Sequence, residues 1–243
     1  MDKRVGISTI GILLHHKSVS IVQDIAPDEV EFVMEFNEKG PIEGDFEKSL
    51  HASHHYTNIA ALNDSALSFA ESEVEKLFKF HLSIVVHEGR SITGFDDWKS
   101  VSFNRMEKLL QRLSSKGTIL LENVTPSSYF SDINAFFDFV MRFDNLFVCL
   151  DIAHIFANEG NLKNLFSLKD RFKERIAKIH ISDTTDGKDL HLPLHEGVLP
   201  LSEISAFLKE FSVPLINEAV PRSVSDFTAF FKNEVEKTRE LYE

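Results

Sequence analysis

Residues 118–154 read TILLENVTPSSYFSDINAFFDFVMRFDNLFVCLDIAH and contain a complete strand–helix–strand unit. The two ends of this stretch, 118-TILLENV and 146-LFVCLDIAH, are short and apolar, as strands buried in a parallel sheet are. Residues 131–143, which lie between them, are predicted to form a helix. A strand, a helix and a second strand in this order are typical of a parallel α/β fold.

The same alternation occurs about eight times along the chain of 243 residues. The strand candidates are 5-VGISTIGI, 29-EVEFVMEF, 48-KSLHAS, 82-LSIVVHEG, 118-TILLENV, 146-LFVCLDIAH, 177-AKIHISD and 213-VPLINEA. Predicted helices follow most of them, at 65–80, 98–115, 131–143, 161–176, 201–211 and 224–242. Eight units in a chain of this length give about 30 residues per unit, the size of one βα repeat.

The chain lacks the sequence features of the alternative arrangement, an open nucleotide-binding sheet. No glycine-rich phosphate-binding loop follows any strand candidate, and no linker rich in Pro, Gly or Ser divides the chain. The sequence therefore predicts an α/β fold with a single (β/α)8 TIM barrel domain over residues 1–243. The segment 37-NEKGPIEGD is too short for a full helix, so the second βα unit is predicted to be trimmed.

Composition and charge restrict the partners and the compartment. With 26 Lys and Arg against 38 Asp and Glu, the formal charge is -12. This disfavours nucleic acid as a partner, because Lys and Arg supply most of its affinity. A single cysteine, Cys149, fits a reducing compartment. No apolar run approaches the roughly 18 residues that a membrane span needs, so we expect a cytoplasmic protein with no membrane partner. The pattern does not indicate an oligomeric state.

Histidines and carboxylates lie at the ends of six consecutive strand candidates. In a TIM barrel the active site forms at these carboxyl-terminal ends. The residues are His51, His87, Glu122, Asp151 with His154, His180 with Asp189 and His191 in the loop that follows, and Glu218. His54 or His55 are alternatives to His51. Burying so many unpaired groups costs several kcal/mol each, which predicts that divalent cations compensate them. Mixed imidazole and carboxylate ligands suit Zn²⁺, Mn²⁺ or Fe²⁺.

The strand-end motifs resemble those of the xylose-isomerase-like TIM-barrel superfamily (AP endonuclease family 2), which contains endonuclease IV and many sugar isomerases and epimerases. The motifs are 119-ILLENV, 149-CLDIAH, 178-KIHISD, 189-DLHLPLHEG and 215-LINEA. The isomerases hold one metal ion with residues that match Glu122, Asp151, His180 and Glu218. The D-x-H element at 189–191, followed by 196-EG, is similar to endonuclease IV, whose three-zinc cluster has more ligands.

Resemblance to endonuclease IV implies three ions with a shared ligand. His51, His87 and Glu122 would hold one, and Glu122 would bridge to a second that Asp151, His180 and Glu218 also bind. His154, Asp189 and His191 would hold the third.

Two enzymatic functions and one non-enzymatic function follow from these residues. The first is hydrolysis of a phosphoester at two or three metal ions, with zinc expected and Mn, Mg, Co or Fe as alternatives. Its catalytic residues would be Glu122, Glu218, His180 and Asp151. The second is isomerisation or epimerisation of a sugar or sugar phosphate at one ion, with Glu122 and Glu218 transferring the proton. The third is a metal-binding or interaction scaffold without activity.

The lengths of the loops at the proposed active site indicate the size of the substrate. The segment from His180 to Asp189 is short, and the trimmed second unit leaves little chain to insert into a duplex. The stretch 51-HASHHYTN has one residue more than the usual pattern of the superfamily, and His195 stands where a glycine is usual. Duplex DNA is therefore disfavoured, and a small phosphoester or sugar is the expected substrate.

Overall fold

Eight parallel strands close into a barrel in the computed structural model, which describes residues 3–35, 40–53, 56–89, 98–127, 129–130, 132–185 and 187–243, without the side chains of 168 and 169. The barrel strands are β1 (Val5–Ser8), β2 (Glu29–Val33), β3 (Glu47–His51), β4 (Ile84–His87), β5 (Ile119–Glu122), β6 (Leu146–Asp151), β7 (Ile176–Ile181) and β10 (Leu215–Asn217). They follow each other around the barrel in chain order, and β10 closes it by pairing with both β7 and β1. The predicted TIM barrel is confirmed.

Helices surround the barrel, and the main core lies between the two layers. The helices are α1 (Ile10–Leu14), α2 (Val22–Ile25), α3 (Asp64–Leu77), α4 (Trp98–Ser114), α5 (Ile133–Val140), α6 (Ile152–Glu159), α7 (Lys163–Phe172), α8 (Leu201–Leu208) and α9 (Phe227–Tyr242). Between β2 and β3, residues 34–35 and 40–46 form no helix, which agrees with a trimmed second unit. None of the helices in the described part of the chain is long and apolar enough to cross a bilayer.

The alternation of side chains along the strands creates a second, smaller core inside the barrel. Val85, Leu120 and Cys149 form an apolar cluster that is separate from the main one. Their chain neighbours, such as Ile84 and Leu121, belong to the core under the helices. Because successive residues of a strand point to opposite faces, the cluster of Val85, Leu120 and Cys149 faces the barrel axis.

Two of the predicted strands end where a helix begins inside the predicted range. The first ends at Ser8, and Ile10–Leu14 forms α1. The sixth ends at Asp151, so His154 lies on α6 rather than on a strand. The reason is local: the Asp151 carboxylate accepts a hydrogen bond of 2.6 Å from the backbone N–H of His154 and caps the helix.

The loop predicted after the seventh strand is a hairpin. Strands β8 (Asp183–Thr185) and β9 (Lys188–Leu192) pair antiparallel outside the barrel sheet. Asp183 anchors the start of this hairpin to the following segment. Its carboxylate accepts hydrogen bonds from the backbone N–H groups of Thr184, His195 and Leu199. Asp189 and His191 lie in the part of β9 where the register of the hairpin shifts, and His191 has a positive φ of 46°.

Candidate metal centre

One cavity of about 360 Å³ lies at the carboxyl-terminal end of the barrel strands. It brings together seven of the nine predicted ligands at its surface, namely His51, His87, Glu122, His154, Asp189, His191 and Glu218. The other two, Asp151 and His180, are fully buried and contact members of this set. His54 and His55 lie outside the described residues.

Glu122 lies at the centre of the cluster and is 1% exposed. Its Oε2 atom is 3.1 Å from Nε2 of His51 and 3.0 Å from Nε2 of His87. Its Oε1 atom is 3.5 Å from Nδ1 of both His154 and His180. Although burial opposes it, the charges of His87 and His180 and the hydrogen bonds from His180 and His51 hold the pKa of Glu122 well below its ordinary value. One carboxylate thus faces two separate groups of imidazoles.

Three carboxylates and one imidazole form the most buried part of the site. Ligand atoms of Glu122, Asp151, His180 and Glu218 lie within 4.8 Å of one another. Burial raises the pKa of the Asp151 carboxyl to about 7, and the charges of Glu122 and Glu218 add to this rise against the opposing effect of His154. Such close carboxylates repel each other unless a proton or a cation lies between them.

His154, Asp189 and His191 form a group on the outer side of the site. The Oδ2 atom of Asp189 is 3.1 Å from Nε2 of His154 and 3.1 Å from Nε2 of His191. Although burial lowers the pKa of His191, its hydrogen bond with Asp189 and the charge of Glu218 raise that pKa to about 9. The three side chains come from α6 and β9, so the hairpin completes this group.

Backbone carbonyls orient two of the histidines. Nδ1 of His51 lies 2.9 Å from the carbonyl oxygen of Ala52, and Nδ1 of His154 lies 2.8 Å from that of Asn123. A carbonyl oxygen can only accept, so each ring carries a hydrogen on Nδ1 and turns Nε2 into the site, where an ion could replace the hydrogen on that nitrogen. Histidine ligands of metal ions are usually held in this way.

Sequence reasoning missed a set of buried charges below the predicted ligands. Glu31 is fully buried, and its carboxylate contacts both Lys178 and His180. The alternation of inward-facing and outward-facing side chains along each strand could have revealed these charges. Glu29 and Glu31, like Lys178 and His180, are two residues apart and therefore share the inner face of the barrel.

The donor set fits divalent ions. Five imidazoles and four carboxylates converge, and this mixture suits Zn²⁺, Mn²⁺ or Fe²⁺. Four ligand atoms are buried with no hydrogen-bond partner in the described part of the chain: Asp151 Oδ2, His180 Nδ1, Asp189 Oδ1 and His191 Nδ1. Buried polar atoms without partners are rare and call for an ion or a water molecule.

The raised pKa of His191 predicts how the stability of the metal-free protein depends on pH. The folded pKa of about 9 exceeds the unfolded value of about 6.5, so the contribution of His191 is complete below pH 6.5 and is lost as the pH rises through 9. We expect the free energy of unfolding in urea, with a chelator present, to fall by up to about 3 kcal/mol over this range. His191→Gln should reduce the slope by the contribution of one proton, because the raised pKa values of His154 and His180 keep theirs. His81→Gln, at an exposed position, should leave the slope unchanged. An unchanged slope in His191→Gln would contradict the assignment.

Comparison with known proteins agrees with the barrel. The sequence profile of the family "Xylose isomerase-like TIM barrel" matches residues 23–240. "Uncharacterized protein MJ1614" of Methanocaldococcus jannaschii is 24% identical over 251 residues, covering 95% of this chain and 97% of that protein.

Two solved structures share the fold. A D-tagatose 3-epimerase-like protein aligns with a TM-score of 0.77 at 18% identity, covering 98% of this chain and 96% of that one. The 3-keto-D-glucoside 4-epimerase YcjR from E. coli aligns with a TM-score of 0.67 at 11% identity, covering 98% and 100%. Identities this low establish the fold alone. The profile match, however, covers most of the sequence, and the chain therefore belongs to the xylose isomerase-like TIM-barrel family.

Proposed function

We propose that the protein is a metal-dependent hydrolase of small phosphoesters, with a site for two or three divalent ions similar to that of endonuclease IV. The observation that carries this proposal is the position of Glu122. Its two oxygens face different groups of histidines, as the carboxylate that bridges two ions must. A site for a single ion would not need a carboxylate shared in this way.

The ligands divide into three groups, and the first two share Glu122. Each group has ligand atoms within 4.8 Å of one another: His51, His87 and Glu122; Glu122, Asp151, His180 and Glu218; and His154, Asp189 and His191. These would hold the first, second and third ion. Zinc fits this mixture of imidazole and carboxylate, and Mn, Fe, Co and Mg are the alternatives.

The residues of the site would position the reacting groups and limit the size of the substrate. When bound, paired divalent ions activate water and neutralise the charges of an in-line displacement at phosphorus. Asp151 is held by its helix cap, and carbonyl contacts orient His51 and His154, so the donors are arranged before substrate binds. A cavity of about 360 Å³ admits a small molecule or one strand end rather than a duplex.

The lining of the cavity also agrees with phosphate binding through ions. In the described ranges, the side chains that line it include no Lys or Arg. Bound cations would therefore supply the positive charge that a phosphoester requires, in a chain whose formal charge is -12. The apolar part of the lining, Ile10, Leu14, Val33, Val124 and Pro126, would contact the non-phosphate part of the substrate.

The second candidate is a sugar or sugar-phosphate isomerase or epimerase with one ion. The small cavity favours it, and so does the pair of buried carboxylates Glu122 and Glu218, which could hold the ion and move a proton on either side of a carbon atom. In this function His154 would orient the sugar. Asp189 and His191 would then have no ligand role.

The metal content of the purified protein, measured per chain by elemental mass spectrometry, separates the candidates. We expect two to three zinc ions per chain, and hydrolysis of small phosphoesters by the zinc-loaded protein. One manganese, magnesium or cobalt ion per chain would favour the isomerase. A chain that binds no metal even after reconstitution would exclude both functions and leave a scaffold.

Asp189→Ala tests the third ion. We expect phosphoesterase activity to fall at least tenfold and one ion per chain to be lost, because Asp189 contacts both histidines of the outer group. The ions held through Glu122 should remain. The matched control is Asp45→Ala, at an exposed position between β2 and β3. Full activity with unchanged metal content in Asp189→Ala would exclude the site with three ions.

A further inference from the structure

A buried polar network lies directly below the candidate metal centre. It consists of Glu29, Glu31, Ser49 and Lys178, hereafter the Lys178 network, and each residue is at most 3% exposed. Nζ of Lys178 lies 2.8 Å from Oε2 of Glu31 and 3.0 Å from Oε1 of Glu29, and it also bonds to the hydroxyl of Ser49. The ammonium group fixes both carboxylates in place inside the barrel.

Glu31 connects this network to the metal centre. Its Oε1 and Oε2 atoms are 3.1 Å and 3.2 Å from Nε2 of His180. Glu29 contacts Lys178 and Ser49 in the same network, and among the contacts described for it none reaches His180. The two glutamates therefore share one lysine but differ in their relation to the ligand histidine.

The contact determines which nitrogen of His180 is available for an ion. The Glu31 carboxylate draws the ring hydrogen to Nε2, which leaves the lone pair on Nδ1. Nδ1 of His180 lies 3.4 Å from Oε2 of Glu218 and 3.5 Å from Oε1 of Glu122, and it has no hydrogen-bond partner among the described residues. His180 thus points its open nitrogen at the carboxylates of the second group.

We propose that Glu31 is a positioning residue of the metal centre, which holds the His180 ring with Nδ1 directed at the ion bound by Glu122, Asp151 and Glu218. The inference rests on the proposed metal function. A carboxylate behind a histidine ligand fixes its tautomer and raises its basicity, and losing such a partner weakens metal binding about 10- to 100-fold. Lys178 in turn prevents Glu31 from turning away.

The test compares Glu31→Gln with Glu29→Gln in the full-length protein. Both variants remove one carboxylate from Lys178 and should lower the stability of the metal-free chain. Only Glu31→Gln removes the negatively charged carboxylate that contacts His180. The dissociation constant of the ion in the second group is measured by competition with a zinc chelator, and the ligand field of that ion by the visible absorption of the cobalt-substituted protein.

We expect zinc to bind about 10- to 100-fold more weakly to Glu31→Gln, with an altered cobalt spectrum. Glu29→Gln should bind zinc within about threefold of the unchanged protein and keep its spectrum. Equal zinc affinities in the two variants would overturn the role of Glu31 while leaving the metal centre intact. Failure of the unchanged protein to bind zinc or cobalt would instead refute the proposed function on which the inference rests.

Discussion

Replacing Glu122 by glutamine is expected to remove most metal binding and with it the proposed phosphoesterase activity. The carboxylate faces His51 and His87 with one oxygen and His154 and His180 with the other. A carboxamide has one acceptor and one donor in these positions, so it cannot ligate two ions. We expect an affinity loss for zinc of at least about 100-fold, greater than for a residue that only supports a ligand.

The measurement is metal content per chain after dialysis, followed by hydrolysis of small phosphoesters. Glu203→Gln is the matched control, because Glu203 is exposed on α8 and the charge change is the same. Glu122→Gln should lose at least one ion that Asp189→Ala keeps. If Glu122→Gln binds as many ions as the unchanged protein, Glu122 is not the shared ligand and the phosphoesterase proposal fails.

The largest effect on stability is expected from Lys178→Met. Lys178 is 2% exposed and is the cation that pairs with the buried carboxylates of Glu29 and Glu31. Burial lowers the pKa of Lys178, but the charges of Glu31 and Glu29 raise it by more than burial lowers it. The lysine therefore remains charged. Removing one partner of a buried ion pair costs about 3–5 kcal/mol when the remaining charge is left without compensation. Glu31 keeps its contact with His180 and Glu29 a contact of 3.5 Å with Arg4, so we expect a loss of about 3 kcal/mol.

Urea unfolding of the metal-free protein measures this loss. Lys116→Met provides the comparison, since Lys116 is about half exposed and its ion pair with Glu75 lies on the surface. We expect a change below about 1 kcal/mol for that variant. A loss as small in Lys178→Met would mean that water reaches the Lys178 network and that its charges are not buried.

The barrel and the clustering of the candidate ligands could be predicted because both depend on short-range patterns. Apolar strand candidates recur at the spacing of a βα repeat, and the strand ends carry His or carboxylate side chains that the closed barrel brings together. His154 could also be placed at the site, although it was assigned to a strand. The capping carboxylate of Asp151 starts a helix there, and both conformations leave the histidine at the same end of the barrel.

The contacts of the Lys178 network with the metal centre could not be predicted, because they depend on residues that are distant in sequence. Glu31 and His180 are far apart in sequence, and only closure of the barrel brings their side chains to 3.1 Å. The last residue of each strand points to the metal centre, but the inward-facing residues two positions earlier, among them Lys178, carry no such positional signal. The hairpin that carries Asp189 and His191 was also missed, because β8 has three residues and lacks an apolar pattern.

The division of the ligands between barrel and periphery suggests a way to change the number of bound ions by protein engineering. His51, His87, Glu122 and His180 are strand residues, and their positions depend on the hydrogen bonding of the whole barrel. Asp189 and His191 belong to the hairpin of β8 and β9, which pairs only with itself in the described part of the chain. Replacing Asp189 and His191 in β9 would convert the proposed three-ion centre into a two-ion centre, while Asp183 still accepts from the backbone of His195 and Leu199 and the barrel strands keep their pairing. The candidate ligands on the barrel strands thus depend on the whole fold, whereas those on the hairpin can be changed separately.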